Sequence, residues 1–173
     1  MPIKMRNKNA FTLIELLVVV AIIGILAAVG LGQFHTAQKR GRDAQRKENL
    51  ASITKALEMY YNDYEQYPLV SGGKIEVGGG AIDWGDEFTD GKTVYMKRLP
   101  KDPADNFRYF YETDTDRSYY KLYARIEHSG DICFSDGPCN ADGYDATECL
   151  PDATDKRCNY CVASPNESCE IED

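Results

Sequence analysis

Hydrophobic and polar positions divide this chain into unlike halves. From Leu16 to Phe34 nineteen consecutive residues carry no charge. That is about the length a helix needs to cross a hydrocarbon core of roughly 30 Å. Beyond this run the pattern turns periodic. Leu50, Ile53, Leu57, Tyr60 (or Tyr61) and Tyr64 recur at helical spacing, and Arg46, Lys47, Glu48, Lys55, Glu58 and Asp63 occupy the other faces. The periodicity stops at Tyr67-Pro68, where proline cannot continue a helix. The pattern predicts one helix from about Thr12 to about Glu65, at ~1.5 Å per residue some 80 Å long. Its first half is apolar all round and its second half amphipathic, so the second half needs a surface to cover its stripe. Gly24, Gly30 and Gly32 within the apolar run favour close helix packing.

Residues 69–92, in which Gly72, Gly73, Gly78, Gly79 and Gly80 stand with Asp83, Asp86 and Asp90, read as a loop holding one short apolar stretch, anchored by Trp84. After Leu99-Pro100-Lys101-Asp102-Pro103 the period changes to two. Phe107, Tyr109 and Tyr111 alternate with Arg108, Phe110 and Glu112. Tyr120, Leu122, Ala124 and Ile126 alternate with Tyr119, Lys121, Tyr123, Arg125 and Glu127. The polar residues 113–117 make a turn between two aromatic-rich strands. The tyrosine stripes read as core and cross-strand pairs rather than a binding platform. The fold class expected is α+β: a long N-terminal helix packed on a small antiparallel sheet, followed by a disulfide-rich C-terminal loop region.

Charge and cysteines narrow the setting. The net charge is −8, and the first ten residues contribute Lys4, Arg6 and Lys8, so the remainder stands at −11. An acidic surface argues against general nucleic-acid binding. All six cysteines, Cys133, Cys139, Cys149, Cys158, Cys161 and Cys169, lie in the last 41 residues. Such an even, clustered set reads as three disulfides, with about 15 pairings open. Cys158-Asn159-Tyr160-Cys161 could instead be half a zinc site or a redox pair. Against this, there is no second CxxC, and His35 and His128 are the only histidines. Disulfides imply export, yet Lys39, Arg40, Arg42, Arg46 and Lys47 follow the apolar run and argue for the opposite orientation. That cluster is either a solvated helix face or a contact for lipid phosphates or acidic neighbours. Asn166-Glu167-Ser168 matches a glycosylation sequon. The chain has no phosphate-binding glycine loop, HExxH or GxSxG, and an enzyme is not expected.

One carboxylate, Glu15, sits at the edge of the apolar run. Thr12-Leu13-Ile14-Glu15 is a capping box, which would account for it locally. The sequence Phe11-Thr12-Leu13-Ile14-Glu15-Leu16 after a short basic leader also resembles the class III signal of type IV pilins and type II secretion pseudopilins. The resemblance implies cleavage between Ala10 and Phe11 by a prepilin peptidase, and N-methylation of Phe11. It also implies pairing of Glu15 with the N-terminal ammonium of a neighbouring subunit. Ala10 departs from the glycine most members carry. A Tyr-Pro at the helix end, Leu-Pro-Lys-Asp-Pro and two aromatic strands are similar to the major pseudopilin. There, acidic and main-chain oxygens after the strands hold calcium. Asp131, Asp136, Asn140, Asp142 and Asp145 occupy the matching neighbourhood, with a solvated acidic loop as the alternative.

The domain reading that follows is a leader at 1–10, a transmembrane and assembly segment at 11–34, an amphipathic helix at 35–66 and a globular domain at 67–173, whose tail from 131 is acidic and cysteine-rich. The resemblance implies a subunit of a helical homopolymer. Its partners would be minor pilins, a prepilin peptidase, a platform protein, an ATPase and membrane lipid, and no specific nucleic acid. No cofactor is required, and a structural calcium ion is the one candidate. The subunit would cross the cytoplasmic membrane once, with its domain outside, before entering a surface pilus or a periplasmic pseudopilus. A DNA-uptake pilin and a non-assembling membrane-anchored binding domain are the alternatives.

Overall fold

The structure, a computed structural model, describes residues 11–128, 144–148, 157, 158 and 160–169, with side chains described outside 27–32, 144–148, 157 and 158. Helix α1 runs from Leu13 to Tyr64, 52 residues, within one residue of the expected ends. It stops where Glu65 turns to a positive φ of 54° and donates its N–H to the Tyr61 carbonyl at 2.7 Å. A left-handed residue followed closely by a proline is an ordinary helix stop. The chain falls into two compact units, residues 1–38 and 39–173. In the first unit the side chains from Phe11 to Leu26 are exposed. Among the described residues no helix is long and apolar enough to cross a membrane. The described side chains of the apolar run stop at Leu26 and resume at Gln33.

In the second unit the expected apolar stripe is the core. Leu50, Ile53 and Leu57 are fully buried, and Ala56 and Tyr60 nearly so. Each such aliphatic side chain removed from water contributes about 1.5–3 kcal/mol. Tyr60, not Tyr61, faces inward. Tyr64 is exposed and stacks on Tyr60 at 4.6 Å between ring centroids. The stripe packs with Ile75, Phe88, Leu99, Tyr109, Tyr111, Tyr120 and Leu122. The tyrosines are core residues, as their alternation indicates.

Residues 69–92 differ from the loop expected. They hold a three-stranded antiparallel sheet, β1 (Leu69–Ser71), β2 (Lys74–Val77) and β3 (Gly80–Ala81), and β4 (Phe88–Thr89), which pairs with β5 (Val94–Met96). The glycines that signal loop are the two turns of this meander. Gly72 and Gly73 have φ of 57° and 75°, and Gly78 and Gly79 have 64° and 82°. Two consecutive left-handed residues make the tight hairpin turn whose twist suits the flanking strands. At Gly73 the requirement is also steric, since a Cβ would lie 2.4 Å from the Phe110 ring.

The aromatic strands form as expected, with shifted ends: β6 is Phe110–Thr113 and β7 is Tyr120–Ala124. They pair antiparallel, with Tyr111 opposite Leu122. Two more strands, β8 (Tyr144–Glu148) and β9 (Arg157–Cys158), pair with each other. The last strand, β10 (Tyr160–Ala163), adds to the free edge of β7, giving the order β10-β7-β6. It places Cys161 opposite Tyr123, and both are buried there with Phe110 and Cys169 packed against them. This is why Tyr123 is buried although alternation along β7 points it away from the main core.

Cys161 is disulfide-bonded to Cys169. That bond corrects the reading of Cys158–Cys161 as a redox pair or half zinc site, because Cys161 is already engaged. Cys133, Cys139 and Cys149 lie outside the described residues, and Cys158 stands on β9.

The basic cluster after the apolar run is the largest departure. Most of it is neither a solvated face nor a free contact surface. Arg46 is fully buried. Its Nε and Nη2 donate to the two oxygens of Asp102 at 2.7 and 2.8 Å, and its Nη1 lies 2.7 Å from both Asp43 and Glu127. Arg42 grips Glu127 through Nε at 2.7 Å and Nη2 at 2.6 Å. Asp43 accepts the backbone N–H groups of Glu127 and His128 at 3.0 and 2.9 Å. The helix is thereby tied to two segments distant in sequence. The hydrogen bonds from Arg42 hold the Glu127 carboxyl down at about 2, with Arg46 adding to them and burial opposing.

Two outcomes follow from this cluster. Arg46→Met leaves Asp43 and Asp102 buried without their cation, and is expected to cost about 3–5 kcal/mol of stability. Denaturant titration of the mature chain in detergent checks this. Because the folded carboxyl of Glu127 lies below its ordinary value of 4.5, its contribution is complete above that value. It is lost as the pH falls toward about 2. The melting temperature should decline over that interval, and Glu127→Gln should flatten part of the decline.

Candidate assembly site at the helix start

The first turn of a helix leaves its N–H groups without partners inside the helix. Thr12 and Glu15 answer this reciprocally. The Thr12 hydroxyl oxygen accepts the Glu15 N–H at 3.3 Å, while Glu15 Oε2 accepts the Thr12 N–H at 2.9 Å and its hydroxyl at 2.7 Å. The capping box read from the sequence is therefore formed. Among the described residues only Oε2 is engaged, so Oε1 is able to accept from a cation.

The surroundings give that carboxylate its chemical interest. Phe11 is 76% exposed and Leu13 82%, and every described side chain from Leu13 to Leu26 except Glu15 is uncharged. Soluble monomers rarely leave so large an apolar surface uncovered; such a surface marks contact with lipid or protein. A carboxylate placed in such a contact is strongly unfavourable alone and tolerated when paired. The arrangement can thus accept a cation and reject assembly partners that lack one.

The other expected site residues are placed unevenly. Ala10, Asp131, Asp136, Asn140 and Asp142 lie outside the described residues, and Asp145 stands on β8. Among the described residues no group of three or more His, Cys, Asp or Glu is placed to hold a metal ion. A cleft of about 420 Å³ is lined by Glu58, Met59, Asn62, Asp63, Thr93 and Tyr95, and in it the Tyr95 hydroxyl donates to Asp63 at 2.9 Å. Sequence reasoning missed the inward roles of Arg42 and Arg46. The signal available was Asp43, an acid set among basic residues at a spacing of three from Arg46. Lys39 and Arg40 remain exposed.

Comparison with known proteins agrees with this placement of the chemistry at the N-terminus. Residues 5–31 match the prokaryotic N-terminal methylation motif. The type II secretion system core protein G of Pseudomonas aeruginosa is 32% identical over 119 residues, covering 69% of this chain and 83% of that protein. The type IV wide pilus major component of Thermus thermophilus is 43% identical over 74 residues, 43% of this chain and 56% of that protein. The type IV major pilin of Myxococcus xanthus is 42% identical over 62 residues, 36% of this chain and 28% of that protein. The chain therefore spans less than two thirds of either pilin. No solved structure matches it. The similarity to core protein G continues well past the shared N-terminal motif, and the chain belongs to the family of type IV pilins and type II secretion pseudopilins, which are filament subunits rather than enzymes.

Proposed function

We propose that this protein is the repeating subunit of a type II secretion-like pseudopilus. The observation that carries the choice is the extent of similarity. It covers 69% of this chain for core protein G, against 36% and 43% for the two pilins. The leader is cut after Ala10 and the new amine of Phe11 is methylated, which keeps its charge. The uncharged residues 16–34 hold the subunit in the membrane, with the acidic domain outside the cytoplasm. At the base of a growing fibre, the Glu15 carboxylate accepts the ammonium of a neighbouring copy. The capping bonds to Thr12 hold that carboxylate until the partner arrives. Assembly then buries the exposed apolar half-helix against other copies. The cytoplasmic ATPase and the platform protein supply and direct the work of extraction.

The six cysteines favour a second reading, a surface pilus, where mechanical and proteolytic stress is greater. The oxygen donors Asp131, Asp136, Asn140, Asp142 and Asp145 are proposed to take a calcium ion, on their chemistry alone.

Three measurements test these readings. Glu15→Ala should insert in the membrane at normal level and give few or no fibres; a normal fibre yield would remove the assembly role. Electron microscopy and mass spectrometry of fibres sheared from expressing cells separate the two filaments. Processed protein confined to the envelope supports the pseudopilus, and long fibres beginning at methylated Phe11 support the surface pilus. For calcium, chelation should lower the melting temperature of the wild-type chain and leave that of Asp142→Ala unchanged.

A further inference from the structure

We propose that Lys39 and Arg40 form a contact for anionic lipid headgroups, which holds the unassembled subunit at the outer membrane–water boundary. The inference rests on the reading of residues 16–34 as the membrane-spanning segment. Five cations follow that segment, and the structure divides them by what they touch. Arg46 is enclosed by Asp43, Asp102 and Glu127, and Arg42 is bidentate to Glu127. The Lys47 ammonium lies 5.5 Å from the centre of the Tyr160 ring. Lys39 is exposed and has no partner among the described residues. Arg40 is exposed too. Its Nε donates to His128 Nε2 at 2.9 Å, which braces the guanidinium, and among the described residues its Nη groups have no partner.

The spacing suits a headgroup. Lys39 lies five residues after Phe34, about 7.5 Å of helical rise. The polar layer on each side of a core of roughly 30 Å is about 5–8 Å thick. Long basic side chains adjust to that depth while their stems stay in apolar surroundings. Charge argues the same way. Without its leader the chain is at −11, so its domain is repelled by an anionic surface. Lys39 and Arg40 are the local exception, placed where repulsion would otherwise lift the domain from the bilayer. An acidic face of a neighbouring copy is the competing partner. It is the weaker choice because an unassembled subunit meets lipid before it meets another copy.

The test uses the mature chain from Phe11, reconstituted in phosphatidylcholine bilayers with a trace of spin-labelled phosphatidylglycerol or phosphatidylcholine. The fraction of motionally restricted label reports which lipid the protein prefers. A cation near an anionic surface favours it by about fivefold. The wild-type chain should therefore prefer phosphatidylglycerol by several-fold. K39Q/R40Q should at least halve that preference, as should about 1 M salt, where the screening length is about 3 Å. K55Q, at another exposed lysine of the helix, should leave it unchanged. Equal preference in wild type and K39Q/R40Q would overturn the proposal. Unchanged lipid preference together with loss of copy-to-copy cross-links from position 39 would assign the pair to a neighbouring subunit instead. Release of the chain from the bilayer by alkaline carbonate is a different failure, since it would overturn the membrane reading itself.

Discussion

A guanidinium removed from water must have its donors met, and meeting those of Arg46 organises the second unit. Asp102 binds it from the segment after β5, Glu127 from the segment after β7, and Asp43 from one turn earlier on the helix. The aromatic ring of Phe107 covers it, 4.9 Å from the guanidinium carbon. A buried ion cluster is weak evidence for net stability, because desolvation offsets much of its attraction. Its value is specificity. A helix held by apolar contacts alone could slide by a turn against the aromatic surface at modest cost. One that slid here would leave a cation and two carboxylates unpaired. The register that buries Leu50, Ile53 and Leu57 is therefore fixed at the end of the stripe nearest residue 39.

The other half of α1 has no such constraint from its own chain. From Phe11 to Leu26 its side chains are exposed. An apolar surface of that extent suits contact with lipid or protein, and Thr12 and Glu15 sit at its start. In lipid, the capping bonds keep the carboxylate oxygen Oε2 occupied by donors from within the same turn. In the proposed assembly, an ammonium of another copy competes for the same group. The two demands are compatible because capping engages one oxygen only. A carboxylate here does what no neutral cap could: it closes the helix and also carries the negative charge that the proposed pairing with a cation needs.

Much of this was legible in the sequence where pattern and packing coincide. The helix ends, the core positions Leu50, Ile53, Leu57 and Tyr60, and the alternation in β6 and β7 follow from periodicity, because each buries one face against one surface. The meander at 69–81 was not legible as strands. Its strands are two to four residues long, and Leu69 and Val70 stay largely exposed, so no alternation develops. Only the paired glycines carried the signal, and they signal a turn whether or not strands flank it. Strand β10 was hidden for another reason: its place beside β7 depends on pairing over nearly forty residues of chain, which no local pattern encodes. At the candidate site, the capping box was readable because its partners are three residues apart. The Arg46 cluster was not, because Asp102 and Glu127 are 56 and 81 positions away.

That same distance explains why a run of cations is a poor guide to a charged surface. Lys39, Arg40, Arg42, Arg46 and Lys47 look equivalent in sequence. On a helix they fall on two faces and at different heights, and the acidic segments neutralise only the residues they reach. Lys39, Arg42 and Arg46 are spaced i, i+3 and i+7 and share one face, but Glu127 pairs with Arg42 and Arg46 and Lys39 lies two turns before Arg46. The domain as a whole is acidic, so the cations it leaves unneutralised are those its own carboxylates cannot reach. Lys39 and Arg40 lie at the N-terminal end of the amphipathic segment, where the chain passes from a part that folds on itself to the exposed uncharged run.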